Sequence, residues 1–563
     1  MFFNSHKLLF NIVLICLTVG LICWLYPARS VTAAGNSLEE AKNTAIKYAE
    51  EQSNLTVDIA KSLWEYAEIG LNEYKSYVKV RDALASAGFN ITDSAADIPT
   101  CLIAQYGTGK PVIGIYEDID ALPDVGHGCG HNLNTAAGIV AAMSIKKAME
   151  THHIPGTIKI FINPAEEIWD VAPLVAAAGY YDDVDALISF HAATENTSEY
   201  GSTMAMDHVE YKFKGVASHS SAAPEKGRSA LDAVEIMNVA VNYLREHLIQ
   251  EMRIHYVITD GGAAPNIVPA SAASRYFIRG PQYPDVAYAR QRIDDCAKAA
   301  ALATGTEMEI GFSSGIYNKI PNKALALLTV NTILKTGLPQ FTEQEINTMA
   351  SLGITGVPNN EIKEPEGSQS FGSNPIGDVT WKTPTTTLNI ATWVPDTPGH
   401  SEKAAIQNNS IYGFKGAVAA SKALASLGLE LMMNPDSLAE VTAEHKERMK
   451  DMPKYEGKAM IPESAYPEAP GIVITAINGL VTLIPSETAF DEKEGDTISV
   501  KSVSNDVLGE YTIAKGVLSK KSADGKEYSF ELKDKVEPGQ RLKVFYTAAE
   551  GNYIWFYGYV HAK

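Results

Sequence analysis

The sequence predicts an α/β fold: a mostly parallel sheet flanked by helices, an inserted ferredoxin-like α+β unit, and a C-terminal all-β sandwich module. Three observations predict it. Short apolar strands alternate with helical stretches from about residue 90 onward, the pattern of a sheet covered on both faces. Residues 208–320 follow the order β-α-β-β-α-β. After 471, β-branched and aromatic runs alternate with Gly, Asp and Lys turns. A chain of 563 residues is too long for one core, so several folded units are expected.

In chain order, Lys7 precedes an apolar run from Leu8 to Tyr26, followed by Val31-Thr-Ala33. A basic start, an apolar stretch and a small-residue site form a secretory signal over 1–33, with cleavage expected after Ala33. The run 8–26 also has the length of a membrane anchor, so export is expected with either outcome for the segment. Residues 38–90 read as helices, with Ala41, Ala45, Tyr48 and Ala49 on one face and Val78, Val80, Leu84 and Ala87 on another. Residues 38–207 and 321–430 form the main domain, with strands at 111–116, 157–162, 186–190 and 385–389 and helices at 135–149 and 413–427. The inserted unit has strands at 208–215, 254–259, 273–279 and 306–312 and helices at 229–249 and 285–303. Further helices are expected at 323–337 and 342–351. Residues 431–470 read as a helix and linker, and 471–563 as the sandwich module, whose ligand is unknown.

The net charge of −20 excludes a nucleic-acid surface, which needs Lys and Arg. Five cysteines, two of them inside the export segment, make no disulfide framework. Chemistry concentrates at strand ends. Gly126-His-Gly-Cys-Gly-His-Asn132 places Cys129 and His131 two apart among glycines, where a thiolate and an imidazole can converge on a metal. Glu117, Asp118 and Asp120 end the preceding strand. Pro164-Ala-Glu166-Glu167 ends the next one, and two adjacent carboxylates there can divide the work of ligand and general base. His191 ends a third strand, and His400 lies in a Pro-rich loop. Together these supply the five ligands and one base of a two-metal hydrolytic centre.

These motifs, with Trp64 to Gly70, Asp120-Ala-Leu-Pro123, Tyr181 to Ala186 and Gly372-Ser373 with Ile376 to Trp381, resemble the aminoacylase/carboxypeptidase-type co-catalytic metallopeptidases. Within that family they are most similar to the aminobenzoyl-glutamate and indole-acetyl-amino-acid hydrolase branch. The resemblance spans roughly residues 50–430. It implies an amide hydrolase with two divalent ions, zinc or manganese, held by Cys129 as the bridge with His131, Glu167, His191 and His400. Glu166 would be the base and Asp120 a carboxylate orienting a ligand. The inserted unit would be a lid that forms a homodimer. From it His219 would stabilise the oxyanion in a neighbouring subunit's site, and Asn266 and Arg279 would bind a substrate carboxylate or the oxyanion. The alternatives for these are a lid-capping role for His219 and a surface ion pair for Arg279. The expected substrate is a small N-acyl amino acid with a free carboxylate, such as aminobenzoyl-glutamate. A dipeptidase or N-acyl amino acid deacylase is the alternative within the fold, and a non-catalytic exported binding protein the alternative outside it. One stretch departs from the resemblance: Glu167 is followed by Ile168-Trp169-Asp170 where relatives carry a Gly-rich run.

Overall fold

The computed structural model describes residues 29–461 and, beyond them, eight strands between 473 and 561. Residues 1–28, which hold most of the expected export segment, lie outside the described residues.

Three helices open the described chain: α1 (Arg29–Glu51), α2 (Ser53–Tyr66) and α3 (Tyr74–Ser86). In α1 Ala41, Ala45 and Ala49 are buried, as the periodicity predicts. In α3 the buried face is Tyr77, Val80 and Leu84, while Val78 is 40% exposed. Val78 thus lies off the predicted face: the helix takes its phase from Tyr77, one residue earlier.

The main sheet has seven strands. They are β1 (Asn90–Asp93), β2 (Leu102–Thr108), β3 (Val112–Asp118), β4 (Gly156–Asn163), β5 (Ala186–Ala193), β6 (Thr197–Glu199) and, later in the chain, β11 (Thr385–Ala391). Their order is β1-β2-β4-β3-β5-β11-β6. The centre, β4-β3-β5-β11, is parallel, and the edges β1, β2 and β6 are antiparallel. The sheet is thus mixed, with the expected parallel strands confined to its middle. Helix α4 (His131–His152) joins β3 to β4, and the chain then crosses back to β5 on the other side of β3. That reversal is a topological switch point, where open α/β sheets bind ligands beyond the carboxyl ends of their strands.

Two short helices, α5 (Glu166–Trp169) and α6 (Ala172–Ala177), separate β4 from β5. The inserted unit is β7 (Ala205–Lys214), α7 (Ala230–Leu244), β8 (Arg253–Asp260), β9 (Ser271–Gly280), α8 (Tyr283–Thr304) and β10 (Glu307–Ile316). Its antiparallel order β10-β7-β9-β8 is the ferredoxin-like arrangement. Ser229 caps α7 by accepting from the Asp232 amide, and Ala230, Val234, Met237, Val241 and Leu244 form its buried stripe. α7 ends earlier than expected, turning into a 3-10 segment at Arg245–His247.

The chain returns through α9 (Lys323–Thr336), α10 (Glu343–Ser351) and α11 (Ile376–Thr380) to β11, then α12 (Glu402–Asn408), α13 (Ile411–Met433) and α14 (Pro435–Met449). One core lies between the sheet and helices α1, α2, α4 and α13, rich in alanines that let helices approach the strands closely. A second lies on the opposite face under α6 and α11, and the inserted unit has its own.

Beyond 473, strands β12 (Val473–Ile477), β13 (Leu480–Ile484), β14 (Thr497–Lys501), β15 (Val507–Thr512), β16 (Lys520–Ser522), β17 (Gly525–Glu531), β18 (Arg541–Thr547) and β19 (Tyr553–His561) are all β, as expected. Pairing joins them into one ladder, β15-β14-β18-β19-β12-β13-β17-β16, in which only β12 and β19 run parallel.

Candidate metal centre

The carboxyl ends of β3, β4 and β5 deliver the chemistry. Beyond β3, Cys129 and His131 flank Gly130, whose φ of 89° is left-handed and whose added Cβ would lie 2.5 Å from that of Ala192. Only glycine allows this bend, so the motif folds as a tight step into α4. His131 is the first residue of that helix rather than a loop residue. Beyond β4, Ala165 is left-handed at φ 55° and turns Glu166 and Glu167 toward the same rim. His191 lies within β5, and His400, also left-handed at φ 54°, is held to the Cys129 loop by its amide bonding to the Gly128 carbonyl at 3.2 Å. Such left-handed non-glycine residues are uncommon and gather at functional sites.

These side chains converge. Cys129, His131 and His191 form one group of donor atoms within 4.8 Å of one another; Cys129, Glu167 and His400 form a second; His131, Glu166 and Glu167 form a third. Cys129 is common to the first two. All six line a cavity of about 500 Å³. The Cys129 Sγ is 3.3 Å from His191 Nε2, and His400 Nε2 is 3.7 Å from Glu167 Oε2.

The ring orientations suit coordination. Asp120 engages His131 Nδ1 through its carbonyl at 3.0 Å and its Oδ1 at 3.2 Å, leaving Nε2 for the cavity. The other Asp120 oxygen accepts the Glu167 amide at 2.9 Å, so one carboxylate orients two donors. His191 engages the Ala192 carbonyl through Nδ1 at 2.7 Å and likewise presents Nε2. His127, in the same motif, is turned away onto the Leu63 carbonyl at 2.9 Å.

The donor set fits divalent cations. Glu167 Oε1 is buried without a hydrogen-bond donor, as an anion suited to a cation would be. A thiolate with imidazoles and carboxylates suits zinc, and the carboxylate share admits manganese. Burial pushes the Cys129 thiol up to about 11, so coordination must remove its proton. Burial, reinforced by Asp118, also holds the Glu166 carboxyl well above the usual range. Burial lowers His191 to about 4, which keeps the ring neutral and available as a ligand.

Other residues belong to the site that sequence reasoning does not assign. Asn374 donates to Glu166 Oε1 at 3.3 Å and lines the cavity with Ser373 and Asp170. Its one signal is its place directly after Gly372-Ser373. Glu73 carries no signal at all. It is fully buried, and one of its oxygens accepts the amides of Leu71 (3.1 Å) and Ala165 (3.0 Å) while the other accepts the Thr100 hydroxyl (2.9 Å). It therefore anchors the strained residue that aims the two glutamates. Glu73→Ala strands those donors and is expected to destabilise the protein by about 2–5 kcal/mol, read by chemical denaturation. Burial and the Asp120 charge push the Glu73 carboxyl up to about 8. The folded state then holds a proton that the unfolded state releases. The stability associated with Glu73 should fall as pH climbs from the ordinary carboxylate range through that value. Glu73→Gln, which keeps one carbonyl acceptor, should flatten that fall.

Three expected residues are not brought to the cavity. His219 and Asn266 are exposed on the inserted unit, where the Ser220 amide bonds to the Asn266 carbonyl at 3.0 Å. Arg279 lies on β9, where its Nε contacts Met206 Sδ at 3.4 Å and its guanidinium faces the Phe277 ring at 5.7 Å. None of the three lines the cavity within one chain.

A family model described as a peptidase dimerisation domain matches residues 203–305, nearly the whole inserted unit. A p-aminobenzoyl-glutamate hydrolase subunit of Escherichia coli (strain K12) is 31% identical to this chain, over 69% of this chain and 92% of that protein. The Xaa-Arg dipeptidase of Mus musculus is 27% identical, over 76% of this chain and 96% of its own length. Among solved structures, an aminobenzoyl-glutamate utilization protein from Klebsiella pneumoniae shares the fold with a TM-score of 0.51 at 18% identity, over 69% of this chain and 98% of that one.

Proposed function

Because this chain belongs to the M20 family of peptidases and amide hydrolases, we propose that it cleaves the amide bond of small N-acyl amino acids or dipeptides, with Glu166 as the proton carrier. The observation that carries this reading is the meeting of Cys129, His131, Glu166, Glu167, His191 and His400 in three overlapping donor groups. The intact set argues against a non-catalytic binding protein, in which a ligand or the base is free to be lost. Cys129, His131, Glu167, His191 and His400 would hold two divalent cations, which when bound would supply Lewis acidity to the amide carbonyl and lower the pKa of water toward about 7.

The protein's own groups do the rest. Glu166 takes a proton from the attacking water and returns it to the leaving nitrogen as the C–N bond breaks. Asn374, bonded to one Glu166 oxygen, leaves the other for that proton. Asp120 keeps His131 and Glu167 in place.

The position of His219 supports a homodimer. Its Nδ1 accepts the amides of Ser221 and Ala222 at 3.3 and 3.2 Å, so its proton sits on Nε2, ready to be donated to an oxyanion. It does not line the cavity of its own chain, so the recipient is the site of a second copy. Strand β8 is an edge of its sheet, and beside it Ile258 on the strand and Ile236, Val239 and Tyr243 on α7 are exposed. Two-fold pairing of β8 edges would bury this apolar strip. A Val239→Asp, Tyr243→Asp double variant is expected to sediment as a monomer and to lose about 100-fold or more in kcat. A fully active monomer would contradict the arrangement.

Release of amine from a panel of aminobenzoyl-glutamate, N-acetyl amino acids and dipeptides tests the activity. The reading predicts turnover abolished by chelation; no release from any member would refute it. The basic start and apolar run of residues 7–26 support export, and recovery of a mature chain beginning at Ala34 would establish it, whereas a full-length cytosolic chain would refute it.

A further inference from the structure

The cavity holds a carboxylate that the donor groups do not use. Asp170 ends α5 in a left-handed conformation, at φ 50°, in the stretch Ile168-Trp169-Asp170 that departs from the family resemblance. It lines the cavity with Cys129, Glu166 and His191 yet belongs to none of the three groups able to hold a cation. Its carboxylate has no hydrogen-bond or ion-pair partner among the described residues, and burial alone pushes its carboxyl up to about 6. The nearby carboxylate of Asp378, by contrast, is occupied by the Tyr317 amide and the Tyr455 hydroxyl, each at 2.8 Å. No lysine or arginine among the described residues lines the cavity. Half-buried in the cavity wall and left unpaired by the protein, this carboxylate is open to a ligand that enters the cavity.

We infer that Asp170 recognises a cationic group of the substrate, so that the preferred substrates are small amides bearing an ammonium or guanidinium group near the scissile bond. This rests on the amide-hydrolase reading above and narrows it. A dipeptide-like molecule with a basic group fits the cavity better than an N-aroyl amino acid whose only charges are carboxylates. The cavity itself offers no side-chain cation for a carboxylate, whereas Arg279 of the lid would meet one from the other side.

The test uses the metal-loaded full chain and two matched pairs: N-acetyl-lysine against N-acetyl-norleucine, and glycyl-leucine against N-acetyl-leucine. Each pair differs chiefly by one positive charge. Wild type is expected to favour the cationic member of at least one pair by about tenfold or more in kcat/KM, and Asp170→Asn to bring that ratio to about one. Asparagine tolerates left-handed backbone, so this variant keeps the turn. An independent reading comes from calorimetry on Glu166→Gln: adding Asp170→Asn should weaken binding of the favoured cationic compound by about tenfold. Ratios of one or below in both wild-type pairs, or a ratio unchanged in Asp170→Asn, would overturn the inference while leaving the hydrolase reading intact. Failure to release amine from any of the four compounds would overturn the inference, and failure on aminobenzoyl-glutamate as well would overturn both.

Discussion

Glu166→Gln is expected to lower kcat by about 10²- to 10⁴-fold while both cations stay bound. The amide side chain preserves volume and can still contact Asn374, but it cannot take a proton from water or hand one to the leaving nitrogen. The two effects separate because Glu166 shares only one of the three donor groups, and in that group His131 and Glu167 remain. KM should change little, since the lost interaction develops in the transition state. Elemental analysis alongside steady-state kinetics checks both halves. Near-normal turnover would remove Glu166 from the proton path, and loss of metal together with activity would make it a ligand instead.

Cys129→Ala should have the opposite signature: metal and activity are lost together. Its sulfur is common to two donor groups, so its removal weakens both at once, whereas loss of His191 or His400 weakens one. The same residue sets a pH dependence. Its thiol, pushed up to about 11 by burial, is protonated in the metal-free protein at neutral pH, and binding must expel that proton. Metal affinity should therefore rise with pH, by up to about tenfold per unit for each proton released. Calorimetry in buffers of different ionisation enthalpy would count the protons. Full retention of two metals by Cys129→Ala, or an affinity flat with pH, would contradict the bridging role.

The chemistry is legible in the sequence where it sits at the ends of parallel strands. Apolar runs that stop abruptly at Glu117, Glu166 or His191 mark positions on one rim, because parallel strands align their carboxyl ends. The order of elements in the inserted unit is legible for a similar reason, since its strands and helices have strong and different periods. What escapes has physical causes. The antiparallel edge strands β1, β2 and β6 are short or flanked by turns, and their pairing is invisible locally. Glu73 acts by accepting amides from distant residues, including Ala165, ninety-two positions away, so nothing in its surroundings announces it. Asp170 and Asn374 reach the cavity through loop geometry alone. His219, Asn266 and Arg279 lie on the inserted unit as expected, away from the cavity of their own chain.

Anomalous diffraction from crystals grown with zinc would show whether Cys129 serves two cations at once. Two peaks are expected, one beside Cys129, His131 and His191 and the other beside Cys129, Glu167 and His400. A single peak, or zinc bound away from Cys129, would contradict that shared role.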